Sequence, residues 1–190
     1  DIGAHIGLYT IAMGKIVIGS GKIYSFEPTP ATFKVLQKNI HLNEMNNIVR
    51  PLNKAVSDTE GTTTFYINDT GVCNSNSLAK NNNKGIGINV ALTSIDKLVE
   101  TEKISFIDII KIDAEGAEYS VLKGSEKTLR KFRPKIILGL HPKSIENFGD
   151  SLILIYDFIS TLGYKITYEN AIMSKEVFIN KCDIFDVRLI

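Results

Sequence analysis

The chain opens on Asp1-Ile2-Gly3-Ala4-His5-Ile6-Gly7, and Phe26-Glu27-Pro28 follows; no other pair of stretches restricts the fold as tightly. Glycines at 3 and 7 remove side chains where a backbone passing from strand to helix turns sharply and where a ligand approaches closely. An acid roughly 20 residues beyond such a turn, at the end of the next strand, accepts hydrogen bonds from ribose hydroxyls. Glu27 occupies that position.

The spacing narrows the ligand. Gly-x-x-x-Gly lacks the Gly-x-Gly-x-x-Gly order that brings backbone amides against a pyrophosphate, and no Gly-Lys-Ser/Thr is present to form the usual phosphate loop. An adenosine cofactor without phosphates fits what remains, and S-adenosylmethionine is the common one.

A chain of 190 residues with 44% hydrophobic content suits one packed domain spanning 1–190. Lys and Arg number 22 against 21 for Asp and Glu, so there is no net basic field to draw nucleic acid. Cys73 and Cys182 are too few for a disulfide framework and too isolated for zinc, which points to free thiols in a reducing, cytoplasmic setting. There is no membrane-length apolar run and no signal-peptide plan at the start. A glycine turn of this kind is normally fed by a buried strand, so the expectation is a piece of a longer chain whose first strand lies upstream of residue 1.

Along the chain, 8–18 reads as a helix with Ala12 and Met13 facing inward, 22–26 as a strand, and Thr29-Pro30 as the cap and first position of a helix with Phe33, Leu36 and Ile40 on its apolar stripe. Residues 48–56 read as a strand interrupted at Asn53 and Lys54, and 62–67 with 86–92 as an antiparallel hairpin around a polar loop, 74–84. That loop reads first as a mobile surface segment and second as a lid. A short helix follows from Thr93 to about Val99, with Asp96 in turn or cap chemistry; then come a buried strand at 107–112, a helix at 117–131 and a strand at 135–140. A helix at 152–162 closed by Gly163 and strands at 164–168, 177–179 and 184–190 complete the chain. Strands alternating with helices give an α/β, doubly wound sheet, and ligands in such sheets bind past the carboxyl ends of the strands. That rule is expected to gather Gly3, Glu27, Asp113, Glu115 and His141 along one edge.

Lys111-Ile112-Asp113-Ala114-Glu115-Gly116 is the second informative stretch. Alternate strand residues share a face, so Lys111 and Asp113 lie side by side with Glu115 beyond them in the turn. A lysine in an apolar strand needs a partner, for which Asp113 and Asp1 are the nearest choices. The two readings are a buried ion pair that fixes the loop, and carboxylates that face a methyl donor and its acceptor. Methyl transfer to a hydroxyl requires positioning and a destination for one proton, and Asp113, Glu115 and His141 can each provide the latter. His5 reads as a neighbour of the cofactor loop and His41 as a surface helix residue. No metal site is evident from His and Cys spacing, although Asp113 and Glu115 with a further acid have the chemistry to hold magnesium.

Residues 1–10, 26–28, Asn53-Lys54-Ala55-Val56-Ser57-Asp58 and Ile110-Lys111-Ile112-Asp113-Ala114-Glu115-Gly116-Ala117-Glu118, with Leu122-Lys123-Gly124, resemble in order the motifs of the FkbM-type family of S-adenosylmethionine-dependent methyltransferases. The resemblance implies a Rossmann-like class I methyltransferase fold of seven strands, the last antiparallel, with the hairpin as a small insertion. It implies cofactor contacts at Asp1, Gly3, Ala4, His5, Gly7 and Glu27, places Pro28, Asn53 and Ala55 beside them, and suggests O-methylation of a saccharide or other small metabolite. Two positions depart from the pattern: His5 where asparagine is commoner, and Gly139 where an acid is common before His-Pro. Two other readings remain open, a methyltransferase acting on a nitrogen of protein or nucleic acid and a cofactor-shaped interaction module without activity.

Overall fold

The computed structural model describes residues 1–17, 21–67 and 86–190. The polar loop at 74–84, Cys73 and Gly19 lie outside them. The chain divides into two compact units, Asp1–Ala55 with Gly61–Leu92, and Val56–Glu60 with Thr93–Ile190.

In the first unit, α1 (Leu8–Gly14) follows the glycine turn, and β1 (Ile23–Phe26) pairs in parallel with β2 (Val49–Leu52) through α2 (Pro30–Leu42). Ile2 bridges Phe26 in parallel, so the opening residues run alongside β1. Helix α2 begins as its sequence indicates, with Thr29 extended at the cap and Pro30 in the first turn, and it turns Leu36 and Ile40 into a cluster with Ala4, Ile23, Met45 and Val49. Helix α1 is shorter than expected. Its buried face carries Thr10 and Gly14, whereas Ala12 is exposed and Met13 only half-buried. Gly14 has that position because Met45 packs where a side chain would go: a Cβ there would meet its sulfur at 2.5 Å. The interrupted strand is two elements, β2 and the two-residue β3 (Ala55–Val56), since the polar Asn53 and Lys54 separate them. Strands β4 (Gly61–Ile67) and β5 (Ile86–Thr93) form the antiparallel hairpin, with β3 on the other edge of β5.

The second unit is a five-stranded sheet in the order β6-β7-β10-β8-β9. Strand β6 (Ile109–Ile112) runs parallel to β7 (Lys135–Leu140), and β10 (Phe185–Leu189) runs antiparallel between β7 and β8 (Ile166–Tyr168). Ile112, Leu122, Leu129, Leu138, Ile155 and Phe178 are among its fully buried side chains.

Several elements differ from the expectation. The helix at 117–131 is two, α4 (Glu118–Lys123) and α5 (Glu126–Phe132), broken at Gly124-Ser125. Ser125 Oγ donates back to the Val121 carbonyl at 2.7 Å, which competes with helical continuation. Residues 177–179 are not a strand but part of α8 (Lys175–Ile179), whose N-cap Ser174 accepts from the Val177 N–H at 3.3 Å. Pro142 does more than end β7: with fixed φ and no N–H to lose, it starts α6 (Pro142–Asn147). Two residues of strand, β9 (Ala171–Ile172), were not anticipated. Helices α3 (Ile95–Thr101) and α7 (Leu152–Thr161) stand near their expected bounds.

Candidate active site

In the first unit, the glycine turn is held by a dense set of hydrogen bonds. Gly3 and Ala4 both donate to the Phe26 carbonyl, at 3.1 and 2.8 Å, while Phe26 donates to the Asp1 carbonyl at 2.9 Å. The turn passes through left-handed backbone at Gly3 (φ 73°), His5 (φ 50°) and Gly7 (φ 97°). A side chain at Gly7 would also meet Leu36 Cδ1 at 2.7 Å, so conformation and packing both require glycine there. Asp1 Oδ2 accepts from Thr10 Oγ1 at 2.6 Å, and that hydroxyl lies 2.9 Å from the buried hydroxyl of Ser25. This chain of polar groups ties the turn, α1 and β1 together. Thr10 and Ser25 carried no separate signal beyond being polar within apolar segments.

Glu27 is 6% exposed, and its carboxylate clasps the turn. Oε2 accepts from the His5 N–H at 3.0 Å and Oε1 from the Thr29 N–H at 2.8 Å. Asn53 donates its side-chain amide to the Glu27 and Pro28 carbonyls at 2.8 and 2.9 Å, so its role here is to fix the end of β1. Ala55 packs with Val90 in a small apolar cluster of the hairpin.

In the second unit, the parallel pairing of β6 and β7 sets their carboxyl ends side by side, with Ile112 opposite Leu138. Lys111, 6% exposed, forms an ion pair with Asp113 Oδ2 at 3.2 Å. The loop then turns through left-handed Glu115 (φ 48°) and Gly116 (φ 113°), where a Cβ on residue 116 would lie within 2.9 Å of the Ser144 backbone. This tight turn delivers Glu118, wholly buried, to His141: Glu118 Oε1 lies 3.0 Å from His141 Nδ1 and also accepts the Gly116 N–H at 3.0 Å. On the other side of the imidazole, Nε2 lies 3.6 Å from Asp113 Oδ1. Burial pulls the His141 pKa down, but the hydrogen bond and charge of Glu118, with the charges of Asp113 and Glu115, carry it above its ordinary value.

Lys111, Asp113 and His141 are thus brought together, with Glu115 close enough for its charge to be felt. Glu118 was missed as a site residue. Its signal is an acid in register with Val121 and Leu122, three and four residues on, along an otherwise apolar helix face. Gly139 also belongs here: a Cβ at that position would lie 3.0 Å from Asp186 Oδ1 and 3.5 Å from Asp113 Oδ1, so an acid there would crowd two carboxylates. Asp113 and Glu118 face opposite nitrogens of one ring. Among the described residues no group of three His, Cys, Asp or Glu side chains could hold a metal, and no helix is long and apolar enough to cross a membrane.

The methyltransferase FkbM domain model matches residues 1–166, a span that contains both clusters. The chain belongs to this family. Among curated relatives of this FkbM domain, methyltransferase sdnD of Sordaria araneosa is 29% identical over 94% of the chain and 77% of its own length. Hexuronic acid methyltransferase AglP of Haloferax volcanii is 28% identical over 76% of the chain and 58% of its own. The FkbM domain also shares its fold with two solved structures: methyltransferase FkbM from Methylobacillus flagellatus (TM-score 0.61, 16% identity, all of this chain and 42% of that one) and an O-methyltransferase from Bacillus cereus in complex with SAH (TM-score 0.57, 15% identity, all of this chain and 71% of that one). These structural likenesses show an α/β fold of the class I methyltransferase type.

Proposed function

We propose that this FkbM domain transfers a methyl group from S-adenosylmethionine to a hydroxyl of a saccharide or other small metabolite. The observation that carries the reading is the Glu27 carboxylate, held between the His5 and Thr29 N–H groups at the mouth of a left-handed glycine turn. Carboxylate oxygens accept more than one hydrogen bond each, so an acid oriented in this way suits the two hydroxyls of a ribose. Asp1, Gly3, Ala4, His5 and Gly7 form the turn beside it; of the others assigned to the cofactor, Pro28 follows Glu27 directly, and Asn53 acts through the Glu27 and Pro28 carbonyls that its amide holds, with Ala55 two residues on. When bound, that cofactor supplies an electrophilic methyl group on a sulfonium.

The chain's own work is positioning and proton removal. His141 is the group assigned to take the acceptor's proton, with Asp113, Lys111 and Glu115 shaping its surroundings. The hexuronic acid named for AglP and the O-methyl transfer named for the Bacillus cereus protein support a hydroxylated small acceptor. Adding S-adenosylhomocysteine is expected to raise Tm by mass action, and Glu27→Ala to remove that rise while leaving a folded chain. A folded wild-type protein whose Tm is indifferent to both the methyl donor and its product would sink the reading. Labelled methyl transfer to a panel of sugar acids, neutral sugars and phenols then identifies the acceptor class.

A further inference from the structure

His141 sits between two carboxylates that are not equivalent. Glu118 is completely buried, and its Oε1 already accepts the Gly116 N–H while lying 3.0 Å from His141 Nδ1. Its Oε2 is buried with no hydrogen-bond partner among the described residues. Asp113 is 39% exposed at its side chain, stands 3.6 Å from Nε2, and is engaged by Lys111 through its other oxygen. An ionised carboxylate only accepts hydrogen bonds, so the short contact at Nδ1 requires a hydrogen on that nitrogen; the opposite tautomer would set two lone pairs against each other at 3.0 Å. The second oxygen of Glu118 finds no donor of its own, which leaves the imidazole N–H and the Gly116 N–H to offset a buried charge.

We propose that Glu118 is a positioning residue that locks His141 as its Nδ1–H tautomer, so that Nε2 is the nitrogen that receives the acceptor's proton. The role of this proton rests on the O-methyltransferase reading above. In that step the acceptor O–H bond breaks as its oxygen bonds to the methyl carbon. The methyl–sulfur bond breaks with its electron pair left on sulfur, and the proton passes to Nε2. The resulting imidazolium points one N–H at Glu118 and the other toward Asp113, and Glu115 adds a third negative charge from the same loop. The arrangement resembles a histidine oriented by a buried acid in other catalytic frameworks, but Glu118 comes from the start of α4 rather than from a neighbouring strand.

The test uses nitrogen-15 NMR of the whole chain with labelled histidine. Only His5, His41 and His141 contribute, and His141→Gln identifies the signals of interest. Neutral His141 is expected to be Nδ1-protonated in the wild type. Glu118→Gln is expected to redistribute the tautomers and lower the titration midpoint by about 1 pH unit or more, as loss of a close opposite charge does. With a confirmed acceptor, the same variant should lose roughly 100-fold in kcat with little change in KM, and the acid limb of its pH profile should move to lower pH. Wild-type His141 found as the Nε2–H tautomer, or a Glu118→Gln protein with unchanged tautomer and midpoint, overturns the proposal. The first of these outcomes needs no variant, so a misfolded Glu118→Gln protein does not shield it. Absence of methyl transfer with the expected NMR result would count against the reaction alone; normal transfer with the wrong tautomer would count against Glu118 alone.

Discussion

Gly124 stands directly against Ser57: a Cβ on residue 124 would lie 2.0 Å from the Ser57 carbonyl oxygen and 3.0 Å from the Asp58 Cα. Both neighbours are backbone, so no rotamer change relieves the clash. The same approach is reinforced by Lys123, whose ammonium pairs with Asp58 at 2.6 Å. Gly124→Ala therefore destabilises despite the better helix propensity of alanine. The expected loss is about 1–3 kcal/mol, read as a lower urea midpoint with an unchanged m-value.

Asp96 acts on a helix other than its own. Ser94 caps α3 by accepting from the Lys97 N–H at 3.1 Å, while the Asp96 carboxylate reaches α5 and accepts from the Lys127 and Thr128 N–H groups at 3.0 and 2.8 Å. It replaces the side chain of Ser125, the residue at the α5 cap position, whose hydroxyl is turned back to Val121. Asp96→Ala removes this tie between two helices, and the expected cost is about 1–2 kcal/mol by urea denaturation. Asp96→Asn retains one acceptor and should cost less.

Stability should also report on His141. Its pKa is raised in the folded state, so its protonated form is preferentially stabilised by folding. That contribution is present in full below the unfolded value of about 6.5 and is lost as pH rises through the folded value. The advantage of wild type over His141→Gln is accordingly expected to shrink as pH rises above about 6.5, measured as the difference in urea midpoints. A difference that grows over this range would reverse the sign of the coupling to Glu118.

Much of this architecture was legible because local chemistry and global fold agree. The glycine turn and the Thr29-Pro30 helix start each follow from one or two residues whose conformational limits are narrow, and β7 at Lys135–Leu140 follows from its apolar run. The places that were not legible depend on partners distant in sequence. The break at Gly124-Ser125 answers to Ser57, more than sixty residues earlier, and helical periodicity alone continues smoothly through it. Residues 177–179 carry a short apolar run that suits strand or helix equally, and the Ser174 cap decides. At the site, Lys111, Asp113 and His141 could be named because strand ends in an α/β sheet collect polar groups. Glu118 could not be given its role, since nothing local shows that a turn with two left-handed residues folds it back onto the histidine. Glu27 was legible as an acid at the right spacing, but its two backbone hydrogen bonds were not.

The Lys111–Asp113 pair offers a prediction in which two substitutions should rank in a definite order. Lys111 is nearly sealed in β6, whereas Asp113 keeps 39% of its side chain exposed. Lys111→Met preserves the apolar stem and leaves behind a carboxylate that water can reach, so its cost should stay within about 1 kcal/mol. Asp113→Ala instead takes a carboxylate away from a buried ammonium and should cost more, about 1–3 kcal/mol. The pair also fixes Asp113 beside His141 Nε2, 3.6 Å away, so the mild Lys111→Met substitution is expected to separate stability from catalysis. Its urea midpoint should remain near wild type while kcat falls by roughly tenfold, because a carboxylate freed from its tether no longer faces the imidazolium in one orientation. Denaturation and kinetics on both variants check this directly: an Asp113→Ala protein more stable than Lys111→Met would show that the ammonium of Lys111 is satisfied chiefly by other groups.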